Sequence, residues 1–105
     1  MQTTPSSLDN LGRLAPKLAE LSQSLLFDDI WQRAGLSPRE RSIATVSALL
    51  ALYRPQQLPF HLQKALDHGV SRSELGELMT HLAFYAGWPA AVSAIDILAT
   101  LPEAK

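Results

Sequence analysis

The chain has 105 residues, the length of one domain, and is 47% apolar but only 18% charged, against roughly 25% charged in ordinary globular domains. Its net charge of −1 comes from nine Lys plus Arg against ten Asp plus Glu with no basic block, which argues against nucleic acid as a partner, and no run of about 18 apolar residues exists to span a membrane. There is no cysteine, so disulfides, thiolate metal ligands and thiol redox chemistry are excluded within this chain.

A chain this small buries only about 60–65% of its unfolded surface. Its apolar surplus therefore predicts a homo-oligomer, packed through helix faces. The N-terminus, Met1-Gln2-Thr3-Thr4-Pro5-Ser6-Ser7, is polar and lacks a signal-peptide apolar region, so a cytoplasmic protein is expected. Residues 1–7 are expected to be disordered. The remainder reads as one domain without internal repeats.

Apolar periodicity is helical nearly throughout. A first helical region is expected from about Asn10 to Gln32, in two pieces, with Pro16 in the first turn of the second. Leu14, Leu18, Leu21 and Leu25 recur along it at helical spacing. Gly35 breaks the chain. Ser37-Pro38-Arg39-Glu40 then combines an N-cap serine, a proline at N1 and a glutamate at N3. The helix it opens runs to about Tyr53, and its interior from Ile43 to Leu52 is apolar on all sides except Thr45 and Ser47. Such a pattern predicts a central buried helix. After Pro55 and Pro59 a helix ends near His68, with Gly69 at a C′ position. Ser71-Arg72-Ser73-Glu74 is a second capping box, opening a helix to about Ala86. Gly87 and Pro89 precede a last, Ala-rich helix to Thr100. The predicted fold class is all-α, with about six helices.

The chemistry available is small. On the helix ending at Ala86, Glu77, His81 and Tyr85 share a face at i, i+4 and i+8, and Trp88 follows. On the preceding helix His61, Lys64 and His68 lie on a different side from Leu58, Leu62, Ala65 and Leu66. Packing of these two helices would bring His61 toward His81 and Tyr85. His serves as acid or base near neutral pH. His68 also fits a plain role as a cation near a helix C-terminus. Arg41 reads either as an ion-pair partner of Glu40 or Glu77 or as a clamp for a substrate carboxylate. Glu40 doubles as the capping glutamate, and Tyr85 and Trp88 also fit as core or subunit-interface aromatics. No metal-ligand spacing occurs. A pocket of His, Tyr, Trp and Arg would suit a small aromatic-derived or carboxylated substrate.

The order Arg41-Ser42-Ile43, His61, Ala65-Leu66, Gly69-Val70, then Tyr85-Ala86-Gly87-Trp88-Pro89-Ala90-Ala91 resembles the carboxymuconolactone decarboxylase family, which shares the all-helical fold of alkyl-hydroperoxidase D. Phe27 through Trp31 and Gly35-Leu36-Ser37 resemble the family's lead-in, and the likeness covers about residues 16–100. The peroxidase branch of that fold carries Cys-x-x-Cys before the family histidine. Here those places fall at about Arg54 and Gln57, and the upstream acidic position falls at Ser42, so thiol peroxidase chemistry is not expected.

The resemblance implies a cofactor-free lyase acting on a carboxylated lactone, assembled as a trimer or a hexamer. Arg41 would hold the departing carboxylate, with Glu40 and Trp88 beside the substrate. His61, His81 and Tyr85 would divide the roles of proton donor and enolate stabiliser. A related isomerase or hydrolase, or a non-catalytic oligomeric binding protein, would use the same fold.

Overall fold

The computed structural model describes residues 5–102. The described residues divide into two compact units, one ending at Pro38 and one starting at Arg39. Residues 1–4 of the segment expected to be disordered lie outside the described residues, and residues 5–7 fall in the first helix.

In the first unit, α1 (Pro5–Leu14) and α2 (Pro16–Leu21) are separated by Ala15 alone. Pro16 forces this break: a residue preceding proline is pushed out of the helical region, and Ala15 has φ −141 and ψ 65. Pro16 itself occupies the first turn of α2, as expected. The chain then widens into a π-helical stretch, Ser22–Phe27, closed by a bond from the Asp28 N–H to the Gln23 carbonyl at 2.9 Å. A 3₁₀ turn, Ile30–Gln32, buries Trp31, whose ring lies 6.2 Å from that of Phe27. Leu14, Leu18, Leu21 and Leu25 are exposed.

The second unit holds α3 (Pro38–Ala51), α4 (Leu58–Asp67), α5 (Arg72–Ala86) and α6 (Trp88–Thr100). Together with the first unit's helices the described residues give six α-helices and no strand. Val46 and Leu50 of α3, Leu58, Leu62 and Ala65 of α4, Leu75 and Met79 of α5, and Ala94 and Leu98 of α6 form one apolar core, with Val70 beside them. Each fully buried leucine there contributes on the order of 1.5–3 kcal/mol by leaving water.

Polar contacts fix how the helices run. Ser42 at the start of α3 shares a 3.0 Å hydrogen bond with Nδ1 of His68, which caps the end of α4. Arg39 donates to the Gly69 carbonyl and to the Glu74 carboxylate in the first turn of α5. Arg72, also in that turn, donates to the carbonyls of Leu98 (3.1 Å), Leu101 (2.8 Å) and Pro102 (2.7 Å) at the end of α6. The starts of α3 and α5 therefore meet the ends of α4 and α6. The 52–57 connection and Gly87 lie at the other end, making two antiparallel helix pairs.

The Ser71–Glu74 capping box is present in both directions. Its hydrogen bond from the Ser71 N–H, followed by the contact with Arg39, holds the Glu74 carboxyl below its ordinary pKa. The helix α3 differs from the expected centre of a core. Ser42, Val46 and Leu50 are buried, but Ala44, Ala48, Ala51 and Leu52 on its other side are exposed. An apolar composition states what a face tolerates, and only the stripe at i, i+4 and i+8 finds neighbours within this unit. Helix α3 ends in a Schellman-type turn. The Arg54 N–H reaches the Leu49 carbonyl at 2.8 Å and the Tyr53 N–H reaches that of Leu50 at 3.0 Å, with Tyr53 rather than glycine in the left-handed conformation, at φ 55.

Candidate functional site

His61 is set in place by the first turns of α4. Gln57 precedes the helix and Pro59 supplies a preset φ near its start. Leu58, Leu62 and Ala65 then turn to the core, which leaves His61 at the margin of that face, half-buried, with Nδ1 shielded from solvent. The Phe60 ring meets the imidazole edge-on at a centroid distance of 4.9 Å. Lys64, one turn on, holds its ammonium 5.7 Å from the centre of the Phe60 ring, within cation–π range. Loss of water around His61, and then the charge of Lys64, push its pKa down from 6.5 to about 4. At neutral pH the ring is uncharged. It is a base, or a neutral N–H donor, and carries no spare proton of its own.

Arg41 is half-buried, with its Nε shielded from solvent, and Glu40 is exposed. Both sit in the first turn of α3, beside the Ser42–His68 bond. His68 and His61 are seven residues apart on α4, about 10 Å along its axis. The turn that carries Arg41 and Glu40 is therefore docked two helical turns from His61, at the opposite end of α4.

His81 and Tyr85 stack at a centroid distance of 5.0 Å, tilted by 38°. Both are exposed, Tyr85 by 78%. Their i, i+4 spacing on α5 accounts for the contact. Phe84 and Trp88 meet edge-on at 5.5 Å and are also exposed, Trp88 by 63%. A core role for Tyr85 and Trp88 within one chain is thereby ruled out. The exposed aromatic edge continues along α6 through Val92 and Ile95.

The six residues singled out by sequence thus fall into three places: His61 on α4, Arg41 with Glu40 at the start of α3, and His81 with Tyr85 and Trp88 at the end of α5 and start of α6. The contact that sequence did not anticipate is Ser42 with His68. A serine at the head of the buried stripe Ser42, Val46, Leu50 was the available signal, since a fully buried hydroxyl requires a partner. Lys64 lies on the His61 side of its helix, and the sequence alone assigns it no role. Among the described residues no group of three or more His, Cys, Asp or Glu is placed to hold a metal ion, and no helix is long and apolar enough to cross a membrane.

The sequence model of the "Carboxymuconolactone decarboxylase family" matches residues 16–100. The chain is 36% identical over 91 residues to a "4-carboxymuconolactone decarboxylase" of Acinetobacter baylyi, covering 87% of this chain and 68% of that protein. It is 30% identical over 78 residues to the "Nitrosuccinic acid decarboxylase npaB" of Metarhizium robertsii, covering 74% of this chain and 54% of that one.

Proposed function

We infer from its place in the carboxymuconolactone decarboxylase family, to which the chain belongs, that it is a decarboxylase of small carboxylic acids in which His61 is the residue at the reacting centre. The substrate expected is 4-carboxymuconolactone or a related carboxylated lactone. The observation that carries this reading is the half-buried, uncharged imidazole of His61, at the position where the sequence resembles the family's histidine. Perturbed histidines in partly shielded places are where acid–base work is done.

The reaction is a carboxylate losing CO₂. The bond between the ring carbon and the carboxylate breaks, and its electron pair passes through a conjugated double bond into the lactone carbonyl, making an enolate. One proton then returns to carbon, so that R–COO⁻ and H⁺ become R–H and CO₂. The barrier lies in the charge that develops on the enolate oxygen, so a neutral N–H aimed at that oxygen lowers it. His61 fits that task. His81 and Tyr85 are the further donors, and in this reading they act from the exposed edge. Arg41 is the planar clamp for a second carboxylate of the substrate, away from His61, with Glu40 beside it; Trp88, at the opposite end of the helices, would border the substrate only across a contact between copies of the chain. No step draws on a cofactor.

The aromatic edge of Phe84, Tyr85, Trp88, Val92 and Ile95 is the face proposed to pack against further copies of the chain, as a trimer or a hexamer. Aromatic residues are enriched in such interfaces. Light scattering should give a mass several times that of one chain, and a stable monomer at micromolar concentration would refute the assembly.

The function is tested by incubating the protein with 4-carboxymuconolactone, and separately with nitrosuccinate, while following CO₂. Release from either supports a decarboxylase and identifies which acid it prefers. Release from neither removes this reading. A thiol-dependent peroxidase assay should give only background, because the chain contains no cysteine.

A further inference from the structure

We propose that Lys64 is a carboxylate-binding residue of the His61 site, so that a substrate carboxylate is held by its ammonium beside the imidazole and over the edge of the Phe60 ring. The proposal rests on the reading of His61 as the reacting centre, and it assigns a cation that belongs to the same helix as that centre.

The geometry carries it. Phe60, His61 and Lys64 are consecutive neighbours on one side of α4, at i, i+1 and i+4. The imidazole touches the Phe60 ring edge-on at 4.9 Å, and the Lys64 ammonium lies 5.7 Å from the same ring's centre. The lysine is half-buried, with its ammonium on the Phe60 ring. Arg41, the cation singled out by sequence, is carried by the turn that docks at the far end of α4, beside His68. The charge of Lys64 is felt at His61.

Placing a positive charge next to a desolvated imidazole is unfavourable for any later protonation of that ring. An anion seated between them reverses the effect. It pairs with the ammonium, removes the repulsion and offers the imidazole an acceptor. A small organic acid with a flat unsaturated ring would also present its face or edge to Phe60. The ligand class is therefore a planar carboxylate, and the charge on the carboxylate, more than the ring, is what Lys64 reads.

The test is binding without turnover. Calorimetric titration of 2-furoate and of its uncharged amide, 2-furamide, is made on the wild-type protein and on Lys64→Gln, Lys64→Arg and Arg41→Gln, with circular dichroism confirming that each variant is folded. Wild type should bind furoate more tightly than furamide. Lys64→Gln should weaken furoate about tenfold, the worth of one charge-assisted hydrogen bond, and leave furamide unchanged, while Lys64→Arg keeps most of the affinity. The proposal is overturned if Lys64→Gln binds furoate as wild type does, if it loses both ligands equally, if wild type shows no preference for the acid at millimolar concentration, or if Arg41→Gln alone abolishes the preference. Lys64-dependent binding in a protein that releases no CO₂ from any acid would refute the decarboxylase reading and leave the carboxylate site standing.

Discussion

Two histidines, His61 and His81, sit in the middle of neighbouring helices of the same four-helix unit, and they are treated in opposite ways. His61 lies at the margin of the core face of α4, half-buried, beside a phenylalanine and a lysine, and its proton affinity is depressed. His81 stands exposed on α5 with an exposed tyrosine, Tyr85. The residue type is the same and each has an aromatic neighbour on its own helix, Phe60 beside His61 and Tyr85 one turn after His81. What differs is which side of each helix the core occupies. A histidine with its water removed and a cation near it is a tuned group. His81, on an open edge, has no such cover within one chain.

The sharpest way to break this contrast is by mutation with turnover as readout. On whichever acid the protein decarboxylates, His61→Ala should lower kcat by about 10²–10⁴-fold, with an unchanged circular dichroism spectrum, and His81→Ala should lower it by a smaller factor. Equal losses would show that the exposed edge is as much a part of the site as α4. Next in size is Arg41→Ala, which should raise KM for an acid with two carboxylates about tenfold or more with a smaller change in kcat. Arg41→Lys should recover only part of that, because an ammonium lacks the planar fork. A change confined to kcat would move Arg41 from binding into the chemistry.

A third effect belongs to the exposed edge. Replacing Phe84 and Trp88 together by serine should shift the mass seen in light scattering toward the single chain, at little cost to folding, since both are exposed in one chain. A large loss of thermal stability in dilute monomer would contradict their exposure. The smallest effect concerns pH. His61 should titrate near pH 4 in a ring-proton NMR experiment. Between about 6.5 and 4 the unfolded chain binds a proton that the folded chain refuses, so stability should fall as pH drops through that window and level off below it. Urea midpoints should show this slope in the wild type and lose part of it in His61→Asn. Lys64→Gln should raise the His61 pKa without restoring the ordinary value, since desolvation is the larger cause.

Local signals were legible in the sequence wherever the physics is local. The Ser71–Glu74 capping box, the proline-forced break at Ala15 and the glycine stops at Gly69 and Gly87 each follow from the bonding or sterics of a few adjacent residues, and each is present. Helix α3 was misread because its apolar run gives no sign of which stripe has partners. The Ser42–His68 bond joins residues 26 apart and depends on how α3 docks on α4. For the same reason the spacing of Arg41 and His61 could not show that the turn bearing the first docks two helical turns from the second. Sequence periodicity specifies faces, and only packing decides which faces meet.

One connection has a consequence for how this chain tolerates changes in length. Helix α5 ends at Ala86 and α6 begins at Trp88, so Gly87 alone is the cap of both, at φ 104 and ψ 149, a conformation that residues with a Cβ strongly disfavour. The far ends of the same two helices are fastened by Arg72. With one residue of slack and both ends tied, an insertion or deletion near Gly87 must rotate α6 by about 100° per residue, carrying Ala94 and Leu98 out of the core. The 52–57 connection puts six residues between α3 and α4, and beyond the Schellman-type turn the only backbone bond within it is that from the Gln57 N–H to the Arg54 carbonyl, which an added residue can re-form. In a library of single-residue insertions, survivors should cluster between 54 and 57 and vanish from 86 to 89.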